Sequence, residues 1–435
     1  MPFDGLPLHW QVLFCVALLV VVGMFLWTLV LFVRSGRDEH TERTPDPALT
    51  DSLTWVFLVP ALNEAVTIRD SVDRLLDVDV ACRRILVIDD GSDDGTDEIL
   101  AGISHPDLTV LRRDLPEARK GKAAGLNHAY RTLGSLLGDV PRDEVVVVIV
   151  DADGRLHRDA PSYAATHFVD PEVGGLQSLV RIYNRGRLLT WMQDIEFSVY
   201  GHLYQAGRND WGTAGMGGNG QFNRLSALDS VADDVGPWKD RLTEDQDLGL
   251  RLVAAGWQGR QDVRATVAQQ GLSSLRPLLR QRTRWSQGGL QALDLVGSVV
   301  RSPFPRAARF ELLLYLLMPF WQGIVGVSLV AAIGLAIFDV APFWGNGPLW
   351  TLAFFYLLAF GGTILACLAG RRGQGPRGWI AGILIGHAYA LYTWLIWPVL
   401  LRAIARQVFR RRDWAKTKRE PLDDEGPPGI APPSQ

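Results

Sequence analysis

The chain has 435 residues, 44 basic and 47 acidic side chains, a net charge of −3, a pI near 6.3 and 48 % apolar residues. That balance argues against a nucleic-acid binder. Three cysteines, far apart at Cys15, Cys82 and Cys367, argue against a disulfide framework or a zinc site. The apolar residues concentrate at the two ends, so soluble domains alone do not account for the length.

Gln11 to Val33 is an uncharged run long enough, at about 1.5 Å per residue, to cross a hydrocarbon layer of roughly 30 Å. A cleaved signal peptide is the competing reading. It is disfavoured because no basic residue precedes the run, the run is too long, and no small-x-small cleavage site follows. Arg34, Arg37 and Arg43 come next, which by the positive-inside rule places the following segment in the cytoplasm. Asp38 to Asp51, with Pro45 and Pro47, reads as a linker.

Leu53 to Pro60 is a buried strand, and Ala61 to Thr67 turns from it into a helix. A second strand, Arg84 to Ile88, ends in DDGSDDGT from Asp89 to Thr96. A third, the Val-rich run Val145 to Val150, ends in Asp151-Ala152-Asp153. Strands that each end in an acidic or Gly-rich loop before a helix form the βαβ signature of a doubly wound α/β sheet, and their carboxyl ends open on one crevice. Asp151 and Asp153 supply hard oxygen donors for a divalent cation on a diphosphate. The alternatives are a polar turn or a calcium loop, although Arg155 stands where a calcium loop needs Asp or Asn.

Asp89 and Asp90 are able to accept hydrogen bonds from a ribose or a base, or else belong to a solvated turn. Lys122, in RKGKAAGLN at a helix start, is a phosphate ligand or a surface lysine. The glycines of GMGGNGQFN, Gly215 to Asn223, let a backbone approach a ligand closely or mark a flexible loop. In TEDQDLGLRL, Thr243 and Gln246 have capping-box spacing, which puts Glu244 and Asp245 in a first helical turn. An ionised Asp245 there is a candidate general base, though acidic residues also suit any helix start. Gln281, Arg284 and Trp285 stand at i, i+3 and i+4 of an Arg-rich amphipathic stretch, on one helical face able to bind a diphosphate and stack a sugar. A basic helix on anionic lipid is the alternative, compatible with the first.

Leu312 to Phe338, Leu349 to Ala369 and Trp379 to Leu401 are further runs of spanning length. Three full spans would carry the C-terminus outside, against the basic cluster Arg402, Arg406, Arg410, Arg411, Arg412, Lys416, Lys418 and Arg419. One run, expected to be Trp379 to Leu401, therefore does not span in the simple way. The Pro-rich tail from Glu420 is expected to be disordered.

PALNEA, DDGSDDGT, KAAGLN, DAD, TED and QRTRW occur in this order. Together they resemble the membrane-integrated family-2 glycosyltransferases, the group of cellulose, hyaluronan and poly-N-acetylglucosamine synthases and of diacylglycerol glucosyltransferases. The resemblance covers about Leu53 to Trp285 and the membrane layout. It implies a GT-A fold with N- and C-terminal transmembrane helices, Asp89 and Asp90 on uridine, Lys122 on the diphosphate, and Mg²⁺ or Mn²⁺ held by Asp153 with Asp151. It further implies Asp245, with Glu244 beside it, as catalytic carboxylates, and Gln281, Arg284 and Trp285 clamping diphosphate and acceptor. Glu64 of PALNEA and Asn219 of GGNGQF join the substrate-binding set.

The implied domains are an N-terminal transmembrane helix at 1–34, a linker at 35–52, a cytoplasmic GT-A domain at 53–271, interfacial helices at 272–310, a transmembrane region at 311–401 and a tail at 402–435. The implied reaction is inverting transfer of a hexosyl unit from a UDP-sugar to a lipid or polysaccharide acceptor, giving a β-glycoside. GGNGQF looks more like the diacylglycerol glucosyltransferases than the cellulose synthases, and QRTRWSQGGLQ also resembles that branch, although poly-N-acetylglucosamine synthases have a similar run. Four apolar runs are few for a polysaccharide channel, which would need an oligomer or a partner subunit. A non-catalytic export or scaffold subunit is the alternative.

Overall fold

The computed structural model describes residues 6–39, 43–338 and 349–411, so the tail expectations for Arg412, Lys416, Lys418, Arg419 and the Pro-rich segment fall outside the described residues. Eight strands form one sheet: β1 Thr54–Ala61, β2 Arg83–Asp89, β3 Leu108–Arg112, β4 Val145–Ile149, β5 Arg155–Leu156, β6 Val173–Ile182, β7 Gln221–Arg224 and β8 Gln258–Gln269. Their order is β3-β2-β1-β4-β7-β6-β8-β5. The half from β3 to β4 is parallel, with Phe57 opposite Ile85 on one side and Val148 on the other. β7 then pairs antiparallel with β4 and β6, which makes the sheet mixed.

The consecutive valines of β4 are explained by burial on both sheet faces. Phe57 and Val148 belong to the core under one face, while Leu58 and Val147 belong to the core under the other. Each such side chain contributes about 1.5–3 kcal/mol of burial free energy. The sheet is therefore a rigid platform, and its loops carry the polar chemistry.

Among the described residues four helical stretches are long and apolar enough to cross a membrane. The first, Leu8–Glu39, meets the sheet domain near its carboxyl end, where the Arg34 guanidinium lies 3.8 Å from the Trp211 ring centre. The expected run Leu312 to Phe338 is two helices, Arg306–Leu316 and Met318–Ile337, because Pro319 starts the second and Glu311 of the first is buried against Arg208. The run Trp379 to Leu401 is also two helices, Gly375–Thr393 and Ile396–Val408, with a turn at Trp394 and Leu395.

Gly382 and Gly386 pack so tightly on Leu368 and Ile364 that an added Cβ would stand 2.7 Å from either neighbour. Gly370 abuts Ser198 and His202, while the Tyr392 hydroxyl donates to Glu196 at 2.9 Å. Both ends of this excursion thus meet one helix, Leu188–Val199, or its immediate continuation. Helix Ile396–Val408 then returns along the Arg-rich helix Leu275–Gln291, held by Gln287, whose amide donates to the Arg411 carbonyl at 2.8 Å.

Candidate active site

Lys122 begins the helix Lys122–Leu137, and its Nζ lies 2.6 Å from Asp151 Oδ1 and 3.8 Å from Glu244 Oε1. Asp151 follows β4 directly, and its backbone amide donates to Asn219 Oδ1 at 3.1 Å. Asn219 is itself buried and donates to Gln269 Oε1 at 2.9 Å, so the Gly-rich loop is pinned to the acidic loop. Asp153, buried behind Asp151, accepts the Gln270 amide at 3.2 Å.

Glu244 and Asp245 open the helix Glu244–Ala254 as expected, but the capping box does not form. The Thr243 hydroxyl instead donates to Gln246 Oε1 at 3.3 Å, and the Gln246 amide donates to Asp245 Oδ1 at 2.8 Å. Close packing of Gly288 on Thr243 and the hydrogen bond from Gln246 to the Tyr315 hydroxyl at 3.0 Å compete for the two side chains. Gly218 has φ of +77°, and a Cβ there would stand 2.7 Å from Asp245 Oδ2. Gly220 likewise has a left-handed φ, of +69°, and a Cβ there would collide with the Ser178 hydroxyl.

Burial pushes the Glu244 carboxyl up to about 7, reinforced by Asp245 and opposed by Lys122 and Arg284. Burial also raises Asp245, with Asp151 adding to the effect and Lys122, the Gln246 amide and Arg284 opposing it. Lys122 pays a burial penalty that Asp151, Glu244 and Asp245 more than offset, so it stays charged above the ordinary lysine range. Three carboxylates and one ammonium thus share a sheltered pocket.

The nucleotide-side candidates stand next to it. Asp89 is fully buried and pairs with Arg112, while Asp90, its side chain 13 % exposed, pairs with Arg113. Desolvation raises Asp90 despite that guanidinium. Arg113 also abuts Gly125 on the Lys122 helix, which links this pair to the acidic pocket. Glu64 is buried in the neighbouring turn, where its amide donates to Thr96 Oγ1 at 2.8 Å and its carboxylate accepts from Thr67 at 3.2 Å. Arg112 and Arg113 were not singled out from the sequence; two arginines closing a strand opposite an Asp pair were the available signal.

The face carrying Gln281, Arg284 and Trp285 divides between two environments. Arg284 acts electrostatically on Glu244 and Asp245. Gln281 accepts from Arg282 at 2.6 Å. Trp285 turns to a cavity of about 390 Å³ between the Arg-rich helix and the membrane helices, with the Arg282 guanidinium 4.1 Å from its ring centre. Arg282 also makes a two-bond pair with Glu196, at 3.0 and 2.6 Å. Gln246, next to Asp245, lines the same cavity.

Among the described residues no group of three or more His, Cys, Asp or Glu has metal-site geometry. Asp151, 30 % exposed, and Asp153 offer two hard oxygens one residue apart. That set fits a small divalent cation that takes its other ligands from water and a diphosphate.

The model of the glycosyl transferase family group 2 matches residues 146–364, and that of glycosyl transferase family 2 matches residues 56–231. A β-monoglucosyldiacylglycerol synthase of Synechocystis is 27 % identical over 94 % of this chain and 85 % of its own length. A poly-β-1,6-N-acetyl-D-glucosamine synthase of Staphylococcus aureus is 29 % identical over 60 % of this chain and 61 % of its own length. The mannosyltransferase PcManGT from Pyrobaculum calidifontis, solved with GDP-Man and Mn²⁺, shares the fold with a TM-score of 0.61 at 19 % identity, over 92 % of this chain and 99 % of that one. The mixed sheet is of the GT-A type, and the chain belongs to the glycosyl transferase family 2 group and is a glycosyltransferase.

Proposed function

We propose that the chain moves one hexosyl unit from a UDP-sugar to the hydroxyl of a membrane lipid, with inversion at the anomeric carbon, from a cytoplasmic catalytic domain at 53–271. The observation that carries this reading is the convergence of Lys122, Asp151, Glu244 and Asp245 from separate segments, with Gly218 against Asp245. Asp245, ionised, takes the proton of the attacking hydroxyl, and removal of that proton contributes about 10²–10⁴-fold. Burial raises the Asp245 carboxyl, and Lys122, the Gln246 amide and Arg284 favour the ionised form. Lys122 moves from its carboxylate partners to the diphosphate and stabilises charge developing on the leaving group.

Asp151 and Asp153 would hold Mg²⁺ or Mn²⁺, which when bound supplies further stabilisation of that charge. Asp90, more open than Asp89, meets the uracil or ribose, with Glu64 and Asn219 shaping the donor side. Gln281, Arg284 and Trp285 serve the diphosphate and the acceptor, with Trp285 on the acceptor side. A lipid acceptor is favoured over a growing polysaccharide because the cavity that reaches Gln246 is walled by Leu278, Leu316, Met318, Ile396 and Val399. Such apolar walls suit acyl chains rather than a hydroxyl-rich polymer. The relative aligned over 94 % of this chain has a glycolipid product in its name.

The test is incubation of purified full-length protein with a panel of UDP-sugars and membrane lipid, followed by mass analysis. One added hexose on lipid is the expected result. A ladder of polymer lengths overturns the acceptor assignment, and release of UDP without any transfer overturns the transferase reading.

A further inference from the structure

Helix Ile396–Val408 presents an unusual outer face. Its inner residues Val399, Leu400 and Ala403 are buried. Yet Leu401, Ile404 and Val408, at i, i+3 and i+7, are exposed at 71, 41 and 69 %, and Phe409 follows at 72 %. A second apolar stripe on the side away from the protein has no purpose in water. Beside it stands a short row of arginines, Arg402 exposed on the helix and Arg410 exposed just past its end, while Arg406 between them turns inward and donates to Gln287 Oε1 at 3.1 Å.

The neighbouring Arg-rich helix adds Arg276 and Arg280, also one turn apart and both exposed. Among the described residues neither these two nor Arg402, Arg410 and Arg411 has a carboxylate within ion-pair distance. The acidic residues of this region are spent elsewhere: Asp294 on Arg241, and Glu311, buried, on Arg208. Arg282 and Arg284 are likewise committed, to Glu196 and to the acidic pair. The outward charge of the two packed helices is therefore of one sign.

We propose that the outer face of Ile396–Val408, together with Arg276 and Arg280, is a binding surface for anionic phospholipid headgroups. The apolar stripe sinks into the acyl boundary and the guanidiniums bind headgroup phosphates, a pairing for which Arg geometry is well suited. The charge complementarity commits the surface to anionic bilayer lipid: a wholly zwitterionic surface satisfies the stripe but not the row, and a free phosphate the row but not the stripe. The inference does not depend on the transferase reading. Its consequence for that reading is that bilayer charge seats the helix packed against Gln287, two residues from Trp285.

The experiment compares full-length protein with the Arg402→Gln/Arg410→Gln variant, whose side chains take no part in the catalytic cluster. Both are reconstituted in vesicles of phosphatidylcholine containing 0 or 30 % phosphatidylglycerol, each with a trace of spin-labelled lipid. The expected result is a severalfold preference of the wild-type protein for motionally restricted phosphatidylglycerol over phosphatidylcholine, reduced by 0.5 M salt and at least halved in the variant. Millimolar inorganic phosphate is expected to leave that preference in place. Equal retention of both lipids by the wild-type protein, an undiminished preference in the variant, or full displacement by millimolar phosphate would each overturn the proposal. A wild-type-like circular dichroism melt separates loss of the surface from loss of the fold.

Discussion

The Lys122 ammonium lies 2.6 Å from the Asp151 carboxylate, and through that contact the helix start at 122 is tied to the loop that closes β4. Lys122 pairs with Asp151 and Glu244 in the resting site, and the proposed reaction hands its charge over to a diphosphate. Lys122→Met is expected to raise the KM for the UDP-sugar at least tenfold and to lower kcat. It also removes the charge that opposes protonation of Glu244 and Asp245, so the acid limb of the kcat profile moves to higher pH. Initial rates across pH 5–9 check both effects.

Glu244 supplies a stability test with a definite sign. Its carboxyl rises from 4.5 to about 7 on folding, so the folded chain holds the proton more tightly than the unfolded one. Stability from this group is fullest below pH 4.5 and falls as pH rises toward 7. Glu244→Gln is therefore expected to stabilise the protein by roughly 1–3 kcal/mol above pH 7, with little change near pH 4. Thermal melts in detergent at the two pH values decide it. A variant less stable than wild type at pH 8 contradicts the sign.

Gly218 tests how closely the base is packed. Alanine there meets both a left-handed φ of +77° and the Asp245 carboxylate oxygen at 2.7 Å. The backbone cost is about 1–2 kcal/mol, which the fold tolerates, whereas displacement of the base is expected to lower kcat at least tenfold. Steady-state rates alongside a melting curve separate the two consequences.

Removal of divalent cations tests the donor side. A chelator is expected to abolish transfer and to weaken UDP binding, and Mg²⁺ or Mn²⁺ to restore both. In Asp153→Asn the concentration of cation needed for half-activity is expected to rise tenfold or more. Calorimetric titration of UDP with and without cation measures the binding arm independently of turnover.

The parallel half of the sheet was legible because each strand closes on a punctuating loop: DDGSDDGT after β2 and DAD after β4. β6, β7 and β8 were not, since their polar and glycine-rich stretches, such as Gln258 to Gln269, carry no clear period, and their pairing depends on distant partners. Asp151, Glu244 and Asp245 could be named from motifs, but the bond from Gln246 to Tyr315 and the pair of Arg282 with Glu196 could not. Tyr315 lies 69 residues from Gln246, and only the packing of the membrane-proximal helix brings its hydroxyl there. Pro319 and the Trp394-Leu395 turn likewise divide runs that composition alone presents as continuous.

The role given to Asp245 is tested most directly by one substitution, Asp245→Asn, which keeps the shape of the side chain and removes its basicity. Single-turnover transfer to lipid is expected to fall by 10²-fold or more while the affinity for UDP stays within a few-fold of wild type. Transfer that continues at an undiminished rate in that variant would contradict the assignment of the base and the reaction built on it.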